Sequence, residues 1–231
     1  MATAPTAPLG SPTLLLFPTR LEHERFRDQG GLPPGSALQY VSGFGPVAAA
    51  ARSASLCAAL RPARVLLVGI AGSYDIEAHP VGSALEFDAV AVDGIGAGEG
   101  DAFLGPGSLG FPQWPGTANG QGAVHEQLEL DCARSHGATL LTTCAAAATA
   151  REAERRRARF PRAAAEDMEG FAVAVACRLA RVPLAIVRGI SNRVGDRDPR
   201  QWRIPGALAA ARRRTLDLLA QHAWGTPEDD G

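Results

Sequence analysis

The 231-residue sequence contains no lysine: all 23 of its basic residues are arginine. A phosphate-binding loop of the Walker type needs a lysine after its glycines, and Schiff-base enzymes and pyridoxal-phosphate enzymes need a lysine amine. The composition therefore excludes these three kinds of chemistry.

Metal-binding patterns are also missing. The four cysteines (Cys57, Cys132, Cys144 and Cys177) have no CxxC spacing, and no HExxH occurs. Zinc sites depend on such clustered ligands, so we expect no metal, and nothing in the sequence calls for a cofactor. We interpret the cysteines as small buried apolar residues of a reducing compartment.

Strong charge and long apolar runs are absent as well. The formal net charge is -1, which gives no electrostatic reason to bind nucleic acid or a membrane surface. No apolar run approaches the roughly 20 residues that span a bilayer. The first residues, MATAPTAPLGSP, lack the basic start and apolar core of a signal peptide. We therefore expect a cytoplasmic protein that binds neither nucleic acid nor membranes.

Apolar strands alternate with helices along the chain, which is typical of an α/β domain. Residues 1–12 are expected to be a mobile extension, 13–223 a single domain and 224–231 an acidic tail. Strands are predicted at 13–17, 37–43, 64–70, 83–94, 138–143 and 182–190, and helices at 46–60, 147–160 and 206–223. The alternation predicts three layers, α/β/α, around a mixed, largely parallel sheet, with ligands beyond the carboxyl ends of the strands.

Three further segments have distinctive patterns. Met168, Ala172, Val175 and Leu179 recur at helical spacing and predict one helix face. The arginines of 151–159 indicate a solvated helix face rather than a ligand site. Residues 97–137, rich in glycine and proline, are too long for an ordinary connection and predict a functional loop or lid.

Three stretches are informative in combination: SGFGPVAAAA (42–51), VGIAGSYD (68–75) and EDMEGFAVAVACRLARVPLAIVRGISN (166–192). The first two place glycines at strand ends, and the third joins a Met-Glu pair to a strand that ends in Ser-Asn. In this order the chain resembles the purine nucleoside phosphorylase and nucleosidase superfamily, from about residue 13 to 222. Gly189 to Trp202, GISNRVGDRDPRQW, looks most like the futalosine hydrolases of menaquinone biosynthesis.

The resemblance implies a fold, an activity and an assembly. The fold would be nucleoside phosphorylase-like, and the activity hydrolysis of the N-glycosidic bond of futalosine to hypoxanthine and dehypoxanthinyl futalosine. The substrate is a small nucleoside, no cofactor is used, and the protein would be at least a homodimer in which a neighbouring subunit often closes the site.

The resemblance also assigns roles around the sugar. Glu169 would accept hydrogen bonds from the ribose 2′- and 3′-hydroxyls, with Met168 beneath the ring. Glu22 would activate water, although Glu24 lies close by and Phe17-Pro18 replaces the Gly-Ala that usually precedes the acid. The segment Ile70, Ala71 and Gly72 would let the backbone approach base and sugar.

Asn192 is the most specific of these positions. Relatives that cleave adenine nucleosides carry Asp there, which protonates N7. An amide can instead donate to O6 and accept from a protonated N7, which favours a 6-oxopurine. The proton would come from Asp198, Asp196 or solvent. Beyond the ribose, Arg197 or Arg203 is a candidate to pair with the carboxylate of futalosine.

Three alternatives remain open at this point. One is a methylthioadenosine/S-adenosylhomocysteine nucleosidase. Another is a purine nucleoside phosphorylase, for which Arg20 and Arg188 are available to bind phosphate. A nucleoside-binding module without catalysis is the third, although the carboxylates at Glu22 and Glu169 disfavour it.

Overall fold

The structure, a computed structural model, describes residues 11–117, 122–130 and 137–221. The expected acidic tail and most of the expected extension 1–12 lie outside these residues, so both stay predictions. The strands are β1 (Thr13–Phe17), β2 (Leu38–Val41), β3 (Arg64–Ser73), β4 (Ala84–Glu86), β5 (Ala89–Asp93), β6 (Gln127–Glu129), β7 (Thr139–Thr143), β8 (Ala163–Asp167) and β9 (Leu184–Arg193). The helices are α1 (Arg20–Asp28), α2 (Pro46–Leu60), α3 (Pro106–Leu109), α4 (Ala150–Arg159), α5 (Gly170–Ala180) and α6 (Ile204–Ala220).

All nine of these strands belong to one sheet, whose main path runs β2-β1-β3-β8-β7-β5-β6. β9 lies beside β3 and also pairs with β4. Five pairings are parallel (β1 with β2 and β3, β3 with β9, β7 with β5 and β8) and three antiparallel, which confirms the predicted mixed, largely parallel sheet.

β3 changes partners along its length. Its first residues, Arg64–Leu67, pair with β1, whereas Gly72 and Ser73 pair antiparallel with the end of β8. β9 follows β3 on the other side, with a register shift between Ala71 and Gly72. β1 therefore leaves the sheet at the level where β8 joins it.

The alternation of side chains along β1 produces the layers. Leu14 and Leu16 pack into the core cluster that includes α2 and α5, whereas Leu15 and Phe17 pack into the cluster that includes α1 and α6. A strand buried on both faces reads as a continuous apolar run, as TLLLF does. The three-layer prediction is thereby confirmed.

Two local predictions were wrong and one strand was missed. Residues 83–94 form two strands rather than one: the chain bends at Phe87–Asp88, so that β4 pairs with β9 and β5 with β7. The predicted face of α5 is incorrect, because Met168 precedes the helix and Leu179 is 48% exposed. β8, AAAED, was missed, because an alanine run does not distinguish a strand from a helix.

Candidate active site

A cavity of about 580 Å³ opens at the carboxyl ends of β1, β3, β7, β8 and β9. Eight of the predicted site residues line it: Glu22, Ile70, Ala71, Gly72, Met168, Glu169, Asn192 and Arg197. Asp196, one of the possible proton donors, also lines it, whereas Asp198 and Arg203 do not. The sequence motifs therefore come together in one place, as the fold class predicts.

Glu22 is held in the cavity by the start of α1. Thr19 caps the helix by accepting the Glu22 N–H, and its hydroxyl donates to Glu22 Oε2 at 2.6 Å. The Ile70 N–H donates to Glu22 Oε1 at 3.0 Å. Burial raises the pKa of Glu22, and Arg188 partly opposes this. Glu24 lies on the exposed side of α1, so only Glu22 reaches the cavity.

Behind Glu22 lies a completely buried guanidinium, that of Arg188. Its Nη2 is 2.5 Å from Asp167 Oδ2 and 3.8 Å from Glu169 Oε2. Its Nη1 has no hydrogen-bond partner. One arginine therefore faces the carboxylates of Asp167, Glu169 and Glu22, and the cluster carries a formal charge of about -2 when all three are ionised.

Gly69 lies against both Arg188 and Glu22. A Cβ at residue 69 would lie 2.3 Å from Arg188 Nη1 and 2.6 Å from Glu22 Oε1. Only glycine therefore fits here without displacing one of these two side chains. Sequence reasoning missed this arrangement, because it depends on strands that are far apart in the chain.

Glu169 precedes α5 and is buried. The Gly45 N–H donates to its Oε1 at 2.9 Å, which connects the glycine-rich stretch after β2 to the site. Burial, reinforced by Asp167, raises the pKa of Glu169 to about 7. Gly45 has φ +80°, a conformation that glycine adopts without strain.

The orientation of the Asn192 amide follows from its neighbours. Its Nδ2 donates to the Arg193 carbonyl at 2.8 Å, and its Oδ1 accepts from the Ser191 hydroxyl at 2.7 Å. Because a carbonyl only accepts, the nitrogen must face Arg193. One amide N–H remains for a ligand, and Oδ1 already has one donor.

The candidate charged residues in the loop after β9 differ in their contacts and in whether they line the cavity. Asp198 caps the turn Pro199–Gln201 and binds the Arg200 guanidinium, which lowers the pKa of its carboxyl. Asp196 and Arg197 do line the cavity, and the Arg197 guanidinium lies 5.7 Å from the centre of the Trp202 ring. Among the described residues, no ion pair holds Arg197. Arg203 does not line the cavity.

Neither of the two arginines considered as phosphate ligands is available to a ligand in the cavity. Arg20 is exposed and does not line the cavity, and Arg188 is committed to Asp167. The cavity wall also contains a segment that the sequence did not identify, Cys144–Ala147 after β7. Cys144 is exposed there, contrary to expectation, whereas Cys57 and Cys177 are buried as predicted and Cys132 lies outside the described residues.

Within residues 11–117, 122–130 and 137–221, no group of three or more His, Cys, Asp or Glu side chains could hold a metal ion. No helix in these ranges is long and apolar enough to cross a membrane.

Comparison with known proteins places this geometry in a family. The model of the Phosphorylase superfamily matches residues 35–221. A futalosine hydrolase of Streptomyces coelicolor is 40% identical over 78% of this chain and 76% of its own length. A futalosine hydrolase of Thermus thermophilus is 33% identical over 90% and 95%.

A solved structure shares the fold. It is a 5′-methylthioadenosine/S-adenosylhomocysteine nucleosidase of Colwellia psychrerythraea in complex with adenine, with a TM-score of 0.69, 20% identity, and coverage of 91% of this chain and 95% of that one. The family match and the two relatives show that the chain belongs to the phosphorylase superfamily and, within it, to the futalosine hydrolases.

Proposed function

We propose that this protein hydrolyses futalosine to hypoxanthine and dehypoxanthinyl futalosine, a step of menaquinone biosynthesis. The observation that carries the proposal is Glu22, a buried carboxylate that lines the cavity and is held by hydrogen bonds from Thr19 and Ile70. A water molecule in the cavity can donate a hydrogen bond to this carboxylate. Glu22 can then take the proton of the water as it attacks, as a general base does.

The reaction follows from these groups. Water attacks C1′ of the ribose, the C1′–N9 bond breaks through an oxocarbenium-like state, and Glu22 takes the proton of the water. The purine leaves as a neutral base after receiving a proton from Asp196 or solvent. The negative charge of Glu22, Asp167 and Glu169 favours the positive charge that develops on the sugar.

The same charge argues for water over phosphate. A phosphate dianion beside Glu22 would meet three carboxylates balanced by a single arginine, and Arg188 already binds Asp167. Phosphorolysis is therefore disfavoured at this site.

Different residues of the cavity would bind the ribose and the base of the nucleoside. The Glu169 carboxylate accepts from the ribose hydroxyls, and Met168 supports the ring. The free N–H of Asn192 donates to O6 of hypoxanthine, an interaction that the N6 amino group of adenine cannot accept. This is the feature that favours futalosine over methylthioadenosine.

The outer end of the cavity fits an aromatic acid. Leu21, Phe44, Trp202 and Ile204 provide apolar surface, and Arg197 stands over Trp202. The carboxyphenyl group of futalosine would lie on this surface, with its carboxylate on the Arg197 guanidinium.

The assembly proposed is a homodimer in the cytoplasm. Leu21, Phe44 and Val47 are 51%, 67% and 84% exposed, and the first two border the cavity mouth. Exposed apolar side chains at a cavity rim are typical of a surface covered by a second subunit.

One experiment tests the reaction. The purified protein is incubated with futalosine, inosine and methylthioadenosine, each with and without phosphate, and the products are identified. We expect hypoxanthine and dehypoxanthinyl futalosine from futalosine, at a rate that phosphate does not change. Phosphate-dependent release of a sugar 1-phosphate, or preference for methylthioadenosine, would contradict the proposal.

A further inference from the structure

The cavity segment Cys144–Ala147 has no polar side chain of its own that could fix its backbone, apart from the exposed Cys144 thiol. Its remaining residues are alanines, which make no side-chain hydrogen bonds. The conformation of this wall must therefore be determined by groups elsewhere in the chain.

Glu166, at the end of β8, provides one anchor. It is 6% exposed, and its Oε1 accepts the Ala147 N–H at 2.7 Å. Its Oε2 accepts from the Tyr74 hydroxyl at 2.6 Å and from Arg156 Nη1 at 2.8 Å. Both carboxylate oxygens are thus satisfied, and Glu166 is held in a single position.

Arg156, on α4, provides the other anchor. Its Nη2 donates to the Ala145 carbonyl at 2.8 Å, while its Nη1 binds Glu166. The side chain of Arg156 is only 17% exposed, so the expectation of a solvated helix face is wrong at this residue. The Arg156–Glu166 ion pair therefore holds the segment by hydrogen bonds to the backbone on both sides of Ala146, at Ala145 and at Ala147.

The pair is itself fixed from behind. Arg156 Nε lies 3.4 Å from Asp93 Oδ2, and Arg159 binds both oxygens of Asp93 at 2.9 and 2.7 Å. Charges that are paired and hydrogen-bonded in this way resist rearrangement more than an isolated surface pair does.

The segment Cys144–Ala147 lies at the purine end of the cavity, an assignment that rests on the proposed function. A Cβ at Gly195 would lie 2.8 Å from the Thr149 carbonyl carbon and oxygen, so the chain after β7 touches the loop that follows Asn192. The ribose side, with Glu22 and Glu169, is formed by other elements.

We propose that Arg156 and Glu166 are positioning residues for purine recognition: their ion pair holds the Ala145–Ala147 backbone as the wall against which the base binds. Neither residue takes part in the chemical step. Loss of the pair should therefore weaken binding of the base and leave the bond-breaking step largely unchanged.

The test compares Arg156→Ala with Arg151→Ala, an exposed arginine of the same helix. Hypoxanthine and adenine binding are measured by calorimetry, futalosine kinetics by product release, and hydrogen exchange by the protection of the Ala147 amide. For Arg156→Ala we expect weaker binding of hypoxanthine by about tenfold, a similar rise in KM, kcat within about threefold, and faster exchange at Ala147. Arg151→Ala should match the wild type in all four.

A milder variant covers the case in which Arg156→Ala does not fold. Tyr74→Phe removes one of the hydrogen bonds to Glu166 and should weaken hypoxanthine binding by about two- to threefold, with a smaller increase of exchange at Ala147.

The outcomes separate the two proposals. A wild-type protein that binds hypoxanthine or adenine without cleaving futalosine would overturn the proposed function alone. Unchanged purine binding in Arg156→Ala, or a fall in kcat at constant KM, would overturn the positioning role. Failure of the wild-type protein to bind either purine would also overturn the positioning role.

Discussion

The Ser191 hydroxyl lies 2.7 Å from Asn192 Oδ1, and the amide nitrogen donates to the Arg193 carbonyl at 2.8 Å. Oδ1 therefore already has a donor, whereas one N–H of Nδ2 is left for a ligand.

This geometry predicts the effect of Asn192→Asp. The substitution preserves shape but replaces the free N–H by an acceptor that faces O6. A buried mismatch of this kind costs about 1–3 kcal/mol, and more with a charge, so kcat/KM for futalosine should fall by about tenfold to a few hundredfold. The corresponding 6-amino nucleoside should lose less or gain. The ratio of the two, measured in parallel, cancels general damage.

The same ratio of kcat/KM values, for the 6-oxo and the 6-amino nucleoside, is also measured in Ser191→Ala. Without the hydroxyl, Asn192 Oδ1 loses its donor, and selectivity for the 6-oxo substrate should fall in the same direction. An unchanged ratio in both variants would make Asn192 a structural cap at the end of β9.

The second prediction concerns the base. Glu22→Gln keeps the contacts to Thr19 and Ile70 possible but removes the proton acceptor, so kcat should fall by about a hundredfold or more. Glu24→Gln, two residues along the same helix and exposed, should stay within about twofold. Turnover under saturating futalosine measures both. A large loss in Glu24→Gln with a normal Glu22→Gln would move the role to Glu24.

Gly69→Ala tests whether activity needs the close packing of Glu22 and Arg188 against β3. The added methyl group would lie 2.3 Å from Arg188 Nη1 and 2.6 Å from Glu22 Oε1, so these side chains would have to move. We expect kcat to fall by at least about a hundredfold, because the base is displaced from its position. Gly206→Ala, in open space on α6, should keep activity and raise stability by about 0.5–1 kcal/mol. A folded, fully active Gly69→Ala protein would contradict this requirement.

The pH dependence gives a fourth prediction. Glu169 must be ionised to accept from the ribose hydroxyls, and its pKa is raised to about 7 by burial and by Asp167. Activity should therefore be lost as pH falls through about 7, rather than through the ordinary range near 4.5. The acid limb of kcat/KM reports this group together with Glu22, whose pKa is also raised. In Glu169→Gln the limb should shift to lower pH in the residual activity, and a wild-type midpoint near 4.5 would contradict the assignment.

The sequence located the cavity because its motifs are local. Glycine-flanked strand ends such as Ile70–Gly72, and the pairs Met168-Glu169 and Ser191-Asn192, are contiguous in the chain and end at the same edge of the sheet. The sheet type followed from the length and burial of the apolar runs, as in β1 and β3.

What the sequence missed depends on distant partners. The bend that separates β4 from β5 is held by two backbone hydrogen bonds: the Asp88 N–H donates to the Ala138 carbonyl, and the Leu130 N–H donates to the Asp88 carbonyl, in both cases more than 40 residues away. The pair Arg156–Glu166 joins a helix to a strand that was not predicted, and the Arg188 cluster brings together residues of α1, β8, β9 and the start of α5. No periodicity or spacing records such contacts, whereas Asp198, prominent in its motif, binds its neighbour Arg200 instead.

The exchange of partners along β3 has a consequence for how specificity can change. Because β1 departs where β8 arrives, Glu22, Glu169 and Asn192 follow or belong to three different strands, β1, β8 and β9. In the proposed function, each part of the nucleoside therefore contacts its own section of the chain, and the Gly69–Gly72 backbone of β3 is shared. Replacing 190–203 alone should retune the choice of purine while the sugar chemistry is retained, so new base preferences can arise in this scaffold without rebuilding its reaction centre.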